Sequence, residues 1–146
     1  MIKFERLPED ILSKIAEGKN VLLDDDNIIF AYLFGGLAEG KVTHLSDIDI
    51  AVFLKSDHNV AEYKLGLFDR LADSLGTCEI DLVILNTAPI SLTGRILQKK
   101  QILIDKDPPQ RHVFESVSLR KYFDFKIIEN KYFLRRYGIG GYSCSL

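Results

Sequence analysis

The chain has 146 residues, 47% of them hydrophobic and 27% charged, so it builds one domain with a core of its own but no separate fingers and thumb around a nucleic acid. Its 19 Lys and Arg against 21 Asp and Glu give a formal charge of -2, which argues against a nucleic acid partner, because binding a phosphate backbone calls for a basic excess or stripe. No run approaches the roughly 20 apolar residues that span a bilayer, and charged residues sit among Met1 to Arg6 where a signal peptide needs an apolar core. A cytoplasmic protein without membrane contact is expected.

Leu7-Pro8-Glu9-Asp10 opens a first helix, with Pro8 in the first turn, acids at the positive end of the dipole, and Ile11, Leu12, Ile15 and Ala16 as its apolar stripe. Gly18 and the stretch Asp24-Asp25-Asp26-Asn27 separate it from Ile28 to Phe34, an apolar run rich in β-formers that reads as a strand buried on both faces. Asp47 to Leu54 is a second strand. Ser56-Asp57 then caps a helix whose apolar residues Ala61, Leu65, Phe68, Ala72 and Leu75 recur every three or four positions, and Gly76 ends it.

Glu79 to Leu85 is a third strand, Thr87-Ala88-Pro89 starts a helix running to about Lys99, and Gln101 to Asp105 is a fourth strand. Asp107-Pro108-Pro109 opens a long helix that reaches about Tyr137, where Gly138-Ile139-Gly140-Gly141 breaks it. Residues 1–137 thus form one domain and residues 138–146 a flexible tail. Strands alternating with helices give a small two-layer α/β domain with helices packed on its sheet. Cys78 and Cys144 match no metal-ligand spacing and read as reduced thiols, while His44, His58 and His112 are scattered, with His44 alone near the motif described next.

Chemistry concentrates in two short segments. Side chains alternate along a strand, so Asp47 and Asp49 share one face, their bearing carbons roughly 6.5 Å apart, while Ile48 and Ile50 take the other. Taken alone, Asp-x-Asp also describes a turn cap followed by a solvent-facing strand residue. Asp81, however, holds the equivalent place in Ile80-Asp81-Leu82-Val83-Ile84, and if the two strands pair, three carboxylates converge with no Lys or Arg in the strand to compensate them. Oxygen ligands without a counter-charge suit Mg²⁺, which keeps positions open for water and phosphate. Separated from Asp47 by ten residues, Gly35-Gly36 follows the first strand and precedes a stretch able to form a helical turn. Glycines let backbone approach a phosphate closely, and free N–H groups at a helix start bind anions.

Gly35-Gly36, ten residues from Leu37 to Ser46, Asp47-Ile48-Asp49 and then Asp81 together resemble the signature of the DNA polymerase β-type nucleotidyltransferase superfamily. The short chain and the phrase Leu45 to Val52 look most like its minimal nucleotidyltransferases, the MntA-like antitoxins paired with HEPN-type toxins. The resemblance covers about residues 28 to 105. It implies an α+β fold with a small mixed β-sheet, flanking helices and a long C-terminal helix. It also implies a triphosphate held at Gly35, Gly36 and Ser46, and two Mg²⁺ ions held by Asp47, Asp49 and Asp81, which serve as catalytic and metal residues. The implied activity is transfer of AMP, or another nucleoside monophosphate, from ATP or another nucleotide to a hydroxyl of a partner protein, with a HEPN-type toxin as partner. Two alternatives stay open: an antitoxin that acts by binding alone, and transfer to a small molecule, which the lack of a further substrate domain disfavours. Gly36 stands where many relatives have Ser, and Glu39 where many have Arg, a loss that Lys41 or Lys55 is positioned in sequence to offset.

The last helix carries Leu119, Phe123, Ile127, Leu134 and Tyr137 on one side and Phe125, Ile128 and Tyr132 nearly opposite, at about 100° per residue. One stripe packs on the domain, and the other meets a second surface: an intramolecular helix, a protein partner through residues 119–137, or a second copy in a homodimer. Six basic residues against two acidic ones between Leu119 and Arg136 suit an acidic partner as well as a solvated face.

Overall fold

The computed structural model describes residues 7–38 and 48–137. Glu39, Lys41, His44, Ser46, Asp47, Cys144 and the tail at residues 138–146 lie outside the described residues. Within them the order is α1 (Leu7–Asp24), β1 (Ile28–Phe34), α2 (Gly35–Ala38), β2 (Ile48–Leu54), α3 (Val60–Leu75), β3 (Ile80–Ile84), α4 (Ile90–Gln98), β4 (Gln101–Asp105) and α5 (Pro108–Tyr137).

The strands form a mixed sheet in the order β3-β2-β1-β4. β1 is antiparallel to both β2 and β4, whereas β2 and β3 run parallel, with α3 supplying the crossover that a parallel pair needs. The continuous apolar run of β1 is explained by its central place and by helices on both sides. On one face Leu33, Ile50, Val52 and Leu82 pack against Leu22 of α1 and Leu67, Leu71 and Leu75 of α3. On the other, Phe30, Tyr32 and Ala51 pack against Ile96 and Leu97 of α4, with Phe114 and Leu119 of α5 at the margin. The α+β class, the mixed sheet and the flanking helices agree with the sequence. The helices divide between the two faces, where a two-layer stack would put them on one.

Four local expectations change. Gly18 lies inside α1, because it is buried where that helix crosses α3, and a Cβ there would sit 3.1 Å from Leu75 Cδ2. Ser56 is not the cap of α3: its N–H donates to Asn27 Oδ1 (2.9 Å) and its carbonyl accepts from Asn27 Nδ2 (3.1 Å), which ties off the end of β2. The helix starts instead after Asn59, held in the left-handed region at φ 51° that Asn tolerates. Starting at Val60, α3 turns Leu67, Leu71 and Leu75 inward and leaves Ala61 and Leu65 exposed, Leu65 at 69%. The long helix docks through Phe114, Ser118 and Tyr122, with Leu119 from the first expected stripe packed beside them, while Phe123, Ile127, Ile128 and Tyr132 are exposed.

That docking has a specific cause. Gly94 of α4 lies so close to the ring of Tyr122 that a Cβ at position 94 would overlap it. Phe114 also meets Phe30 and Phe53, with ring centroids 5.5 and 5.0 Å away. The first turns of α5 are fixed by charge as well. Glu115 accepts from Tyr32 Oη (2.7 Å) and from Arg111 (3.0 Å), and Arg111 Nε donates to Asp105 at 2.7 Å. Burial raises the Glu115 pKa, but the hydrogen bonds from Tyr32 and Arg111 and the nearby Lys100 outweigh it, leaving the carboxyl below its ordinary range.

Candidate functional site

The end of β1, the start of β2 and the start of β3 meet at one edge of the sheet. Asp49 pairs with Phe34 across the antiparallel ladder and with Asp81 across the parallel one. Partners in a ladder point to the same face, and adjacent strands lie about 4.8 Å apart, so the two carboxylates stand side by side. Ile48, Ile50, Ile80 and Leu82 are buried on the opposite face, which anchors this orientation. Asp49 is half-buried and Asp81 exposed.

Gly35 directly follows Phe34 and is pressed against this pair. Its φ of +74° lies in the region that L side chains rarely adopt, and a Cβ added there would collide with the Asp49 carboxylate. Two independent demands, backbone conformation and clearance for Asp49, therefore require glycine. Gly36 is the next residue of α2, a helix of one turn.

Of the residues expected from the sequence, the structure brings together Gly35, Gly36, Asp49 and Asp81. Asp47 and Ser46 lie outside the described residues. Among the described residues no three His, Cys, Asp or Glu side chains cluster as a metal site; the pair Asp49 and Asp81 supplies two oxygen-bearing groups. Lys55 does not belong here. It follows the far end of β2, where its N–H donates to Asn27 O at 2.7 Å, about 20 Å along the strand from Asp49.

One feature of the site was not legible in the sequence. A pocket of about 380 Å³ opens beside Gly35, with Phe34, Leu92 and Ile96 as apolar lining and Arg95, Gln98 and Lys99 as polar lining. The basic residues come from the last turn of α4 and the residue after it, a segment that carries no motif. Their only sequence signal is a cation in the last turn and another at the end of a helix, which is common for dipole reasons alone.

The mixed sheet thus sets an acid-bearing pair of parallel strands beside a glycine turn, the placement that the resemblance drawn from the sequence implies. The family model described as polymerase beta, nucleotidyltransferase, matches residues 16–109, and the chain belongs to that family. No curated protein matches the chain. Among solved structures, a chain from tri-AMPylated Shewanella oneidensis HEPN toxin in complex with MNT antitoxin is 22% identical, with a TM-score of 0.66 over 88% of this chain and 98% of that one. A chain from a toxin-antitoxin complex with AMP-PNP is 25% identical, with a TM-score of 0.68 over 87% and 98%. A third, from the toxin-antitoxin MntA-HepT, is 22% identical, with a TM-score of 0.65 over 88% and 99%. The minimal nucleotidyltransferase fold expected from the motif is thus the fold observed.

Proposed function

We propose that this protein is a Mg²⁺-dependent nucleotidyltransferase that moves AMP from ATP onto a hydroxyl of a partner protein, and that it serves as the antitoxin of a HEPN-type toxin. The observation that carries this reading is the register of Asp49 with Asp81, with Gly35 cleared of any side chain against the Asp49 carboxylate. Support for the acceptor and partner comes from the similar structures, which contain AMPylated HEPN toxin with MNT antitoxin in one case and AMP-PNP in another.

The donor set fits a hard divalent cation: carboxylate oxygens from neighbouring strands, exposed on the Asp81 side and backed by a glycine with no Cβ to collide with the Asp49 carboxylate. Asp49 and Asp81 would hold it, together with Asp47, which the Asp-x-Asp motif adds to the set. When bound, the ions lower the pKa of the acceptor hydroxyl and neutralise charge on the leaving pyrophosphate. In the transfer itself the acceptor oxygen bonds to the α-phosphorus, the bond to the bridging oxygen of pyrophosphate breaks, and the acceptor proton passes to a nearby base or to water. Gly35 and Gly36 let the backbone approach the phosphates, with Ser46 as a further nucleotide contact. Such transfer is mostly positioning plus electrostatics, so a chain this short suffices.

A second reading has an observation of its own. The outer face of α5 exposes Phe123, Ile127, Ile128 and Tyr132, with Lys and Arg between them, and this surface is where a protein partner would seat. Neutralisation by binding alone would need only that surface. Incubation with α-labelled ATP, Mg²⁺ and the product of the neighbouring gene separates the two. Label on the partner that vanishes with Asp49→Ala supports transfer, whereas equal neutralisation by wild type and variant without label refutes it.

A further inference from the structure

We infer that Arg95 and Lys99 are nucleotide-binding residues that hold the β- and γ-phosphates of the incoming nucleotide in the pocket beside Gly35. This rests on the nucleotidyltransferase reading and extends it to residues outside the motif. Gly35 belongs to both places at once: its Cα faces the Asp49 carboxylate closely enough to exclude a Cβ, and it lines the pocket that Arg95 and Lys99 also line. A nucleotide whose α-phosphate lies at the carboxylate edge therefore has the pocket as its neighbouring space. At about 380 Å³ the pocket falls within the range of small-molecule sites, and Phe34, Leu92 and Ile96 give it the apolar wall such sites use.

Charge gives the assignment its direction. A polyphosphate brought to Asp49 and Asp81 meets two carboxylates and needs positive side chains at the part of the tail that those residues do not serve. Lys55 is at the far end of β2, and Lys100 lies beside Glu115 at 3.7 Å and the ring of Tyr32 and does not line the pocket. Arg95 lies in the last turn of α4 and Lys99 is the residue that follows the helix, and both line the one pocket, so a single extended anion there can meet both. Arg adds a planar fork matched to two phosphate oxygens, and Lys a compact point charge.

The test is calorimetric titration of the whole protein with Mg²⁺ and either AMP-PNP or AMP, for wild type, Arg95→Gln, Lys99→Gln, the double variant and Lys121→Gln as a distant control. Each single change is expected to weaken AMP-PNP binding about tenfold and the double change about a hundredfold, while AMP affinity stays within about threefold. All variants should melt with the wild type, since Arg95 and Lys99 are exposed. A double variant that binds AMP-PNP within about twofold of wild type overturns the assignment and leaves the two cations serving the helix end alone. Equal weakening for AMP and AMP-PNP also overturns it, because the contact would then lie at the nucleoside or α-phosphate. A wild type that binds neither nucleotide overturns the nucleotidyltransferase reading and this assignment with it.

Discussion

Gly35→Ala is the substitution whose consequences the geometry defines most tightly. An alanine held at φ +74° costs about 1–2 kcal/mol relative to glycine. Its Cβ also meets the Asp49 carboxylate, so either the turn or Asp49 must move, adding about 1–3 kcal/mol as in other overpacked sites. Together these give a loss of about 2–5 kcal/mol, or a fall in melting temperature of roughly 5–15 °C for a chain of this size. A displacement of Asp49 by about 1 Å would slow the proposed transfer about 100-fold even in protein that remains folded. Urea unfolding and transfer of labelled AMP are measured on the same preparations. Gly66→Ala is the internal control, because nothing lies within 4 Å of a Cβ there, and an exposed helical alanine should stabilise by about 1 kcal/mol. If Gly35→Ala matched the wild type in both stability and transfer, the steric coupling between the glycine turn and Asp49 would be refuted.

Further outcomes follow from the packing of α5. Gly94→Ala should destabilise by about 1–3 kcal/mol, because the added Cβ overlaps the Tyr122 ring, and Gly94→Ala combined with Tyr122→Ala should cost less than the sum of the single changes in urea unfolding. The Glu115 carboxyl is held below its ordinary range, so its contribution is fully present above the unfolded-state carboxylate pKa and is lost as pH falls through the lower folded value. Glu115→Gln should therefore show a shallower loss of stability than wild type on acidification below about pH 4, and a steeper loss would contradict the assigned ion pairs. Ile128→Glu, at a position 65% exposed, should leave folding stability within about 0.5 kcal/mol and abolish co-purification with the partner; retained co-purification would remove α5 as the docking surface.

How much of this was legible in the sequence depended on whether the signal was local. β1 and β4 match their expected bounds, and β2 and β3 come within a residue of theirs, because strand character is written in runs of Ile, Leu, Val and Phe. The glycine turn and the acids were legible because their chemistry demands particular residue types at fixed spacings. The pairing of β2 with β3, on which Asp81 depends, was only a condition in the sequence; the parallel register meets it. What periodicity missed was set by neighbours distant in the chain. Leu65 fits a helical stripe by spacing, yet α3 is rotated so that Leu67 and Leu71 are buried in the core instead. Phe123 and Ile127 look like core residues, but α5 is steered by Gly94 beneath Tyr122 and by Glu115 against Tyr32, contacts between segments 28 and 83 positions apart. Gly18, which reads as a helix end, is a helix crossing. Arg95 and Lys99 acquire meaning only once α4 is placed beside Gly35.

A double-mutant cycle on the initial rate of adenylyl transfer, followed by the intact mass of the partner, measures whether Asp49 and Asp81 act as one unit at the proposed nucleotidyl-transfer site. Asp49→Asn and Asp81→Asn should each reduce the rate by about 100-fold or more, and the double variant should be hardly slower than the slower single variant, as for residues that serve a single step together. Losses that multiply in the double variant, or near-wild-type transfer by either single variant, would contradict the claim.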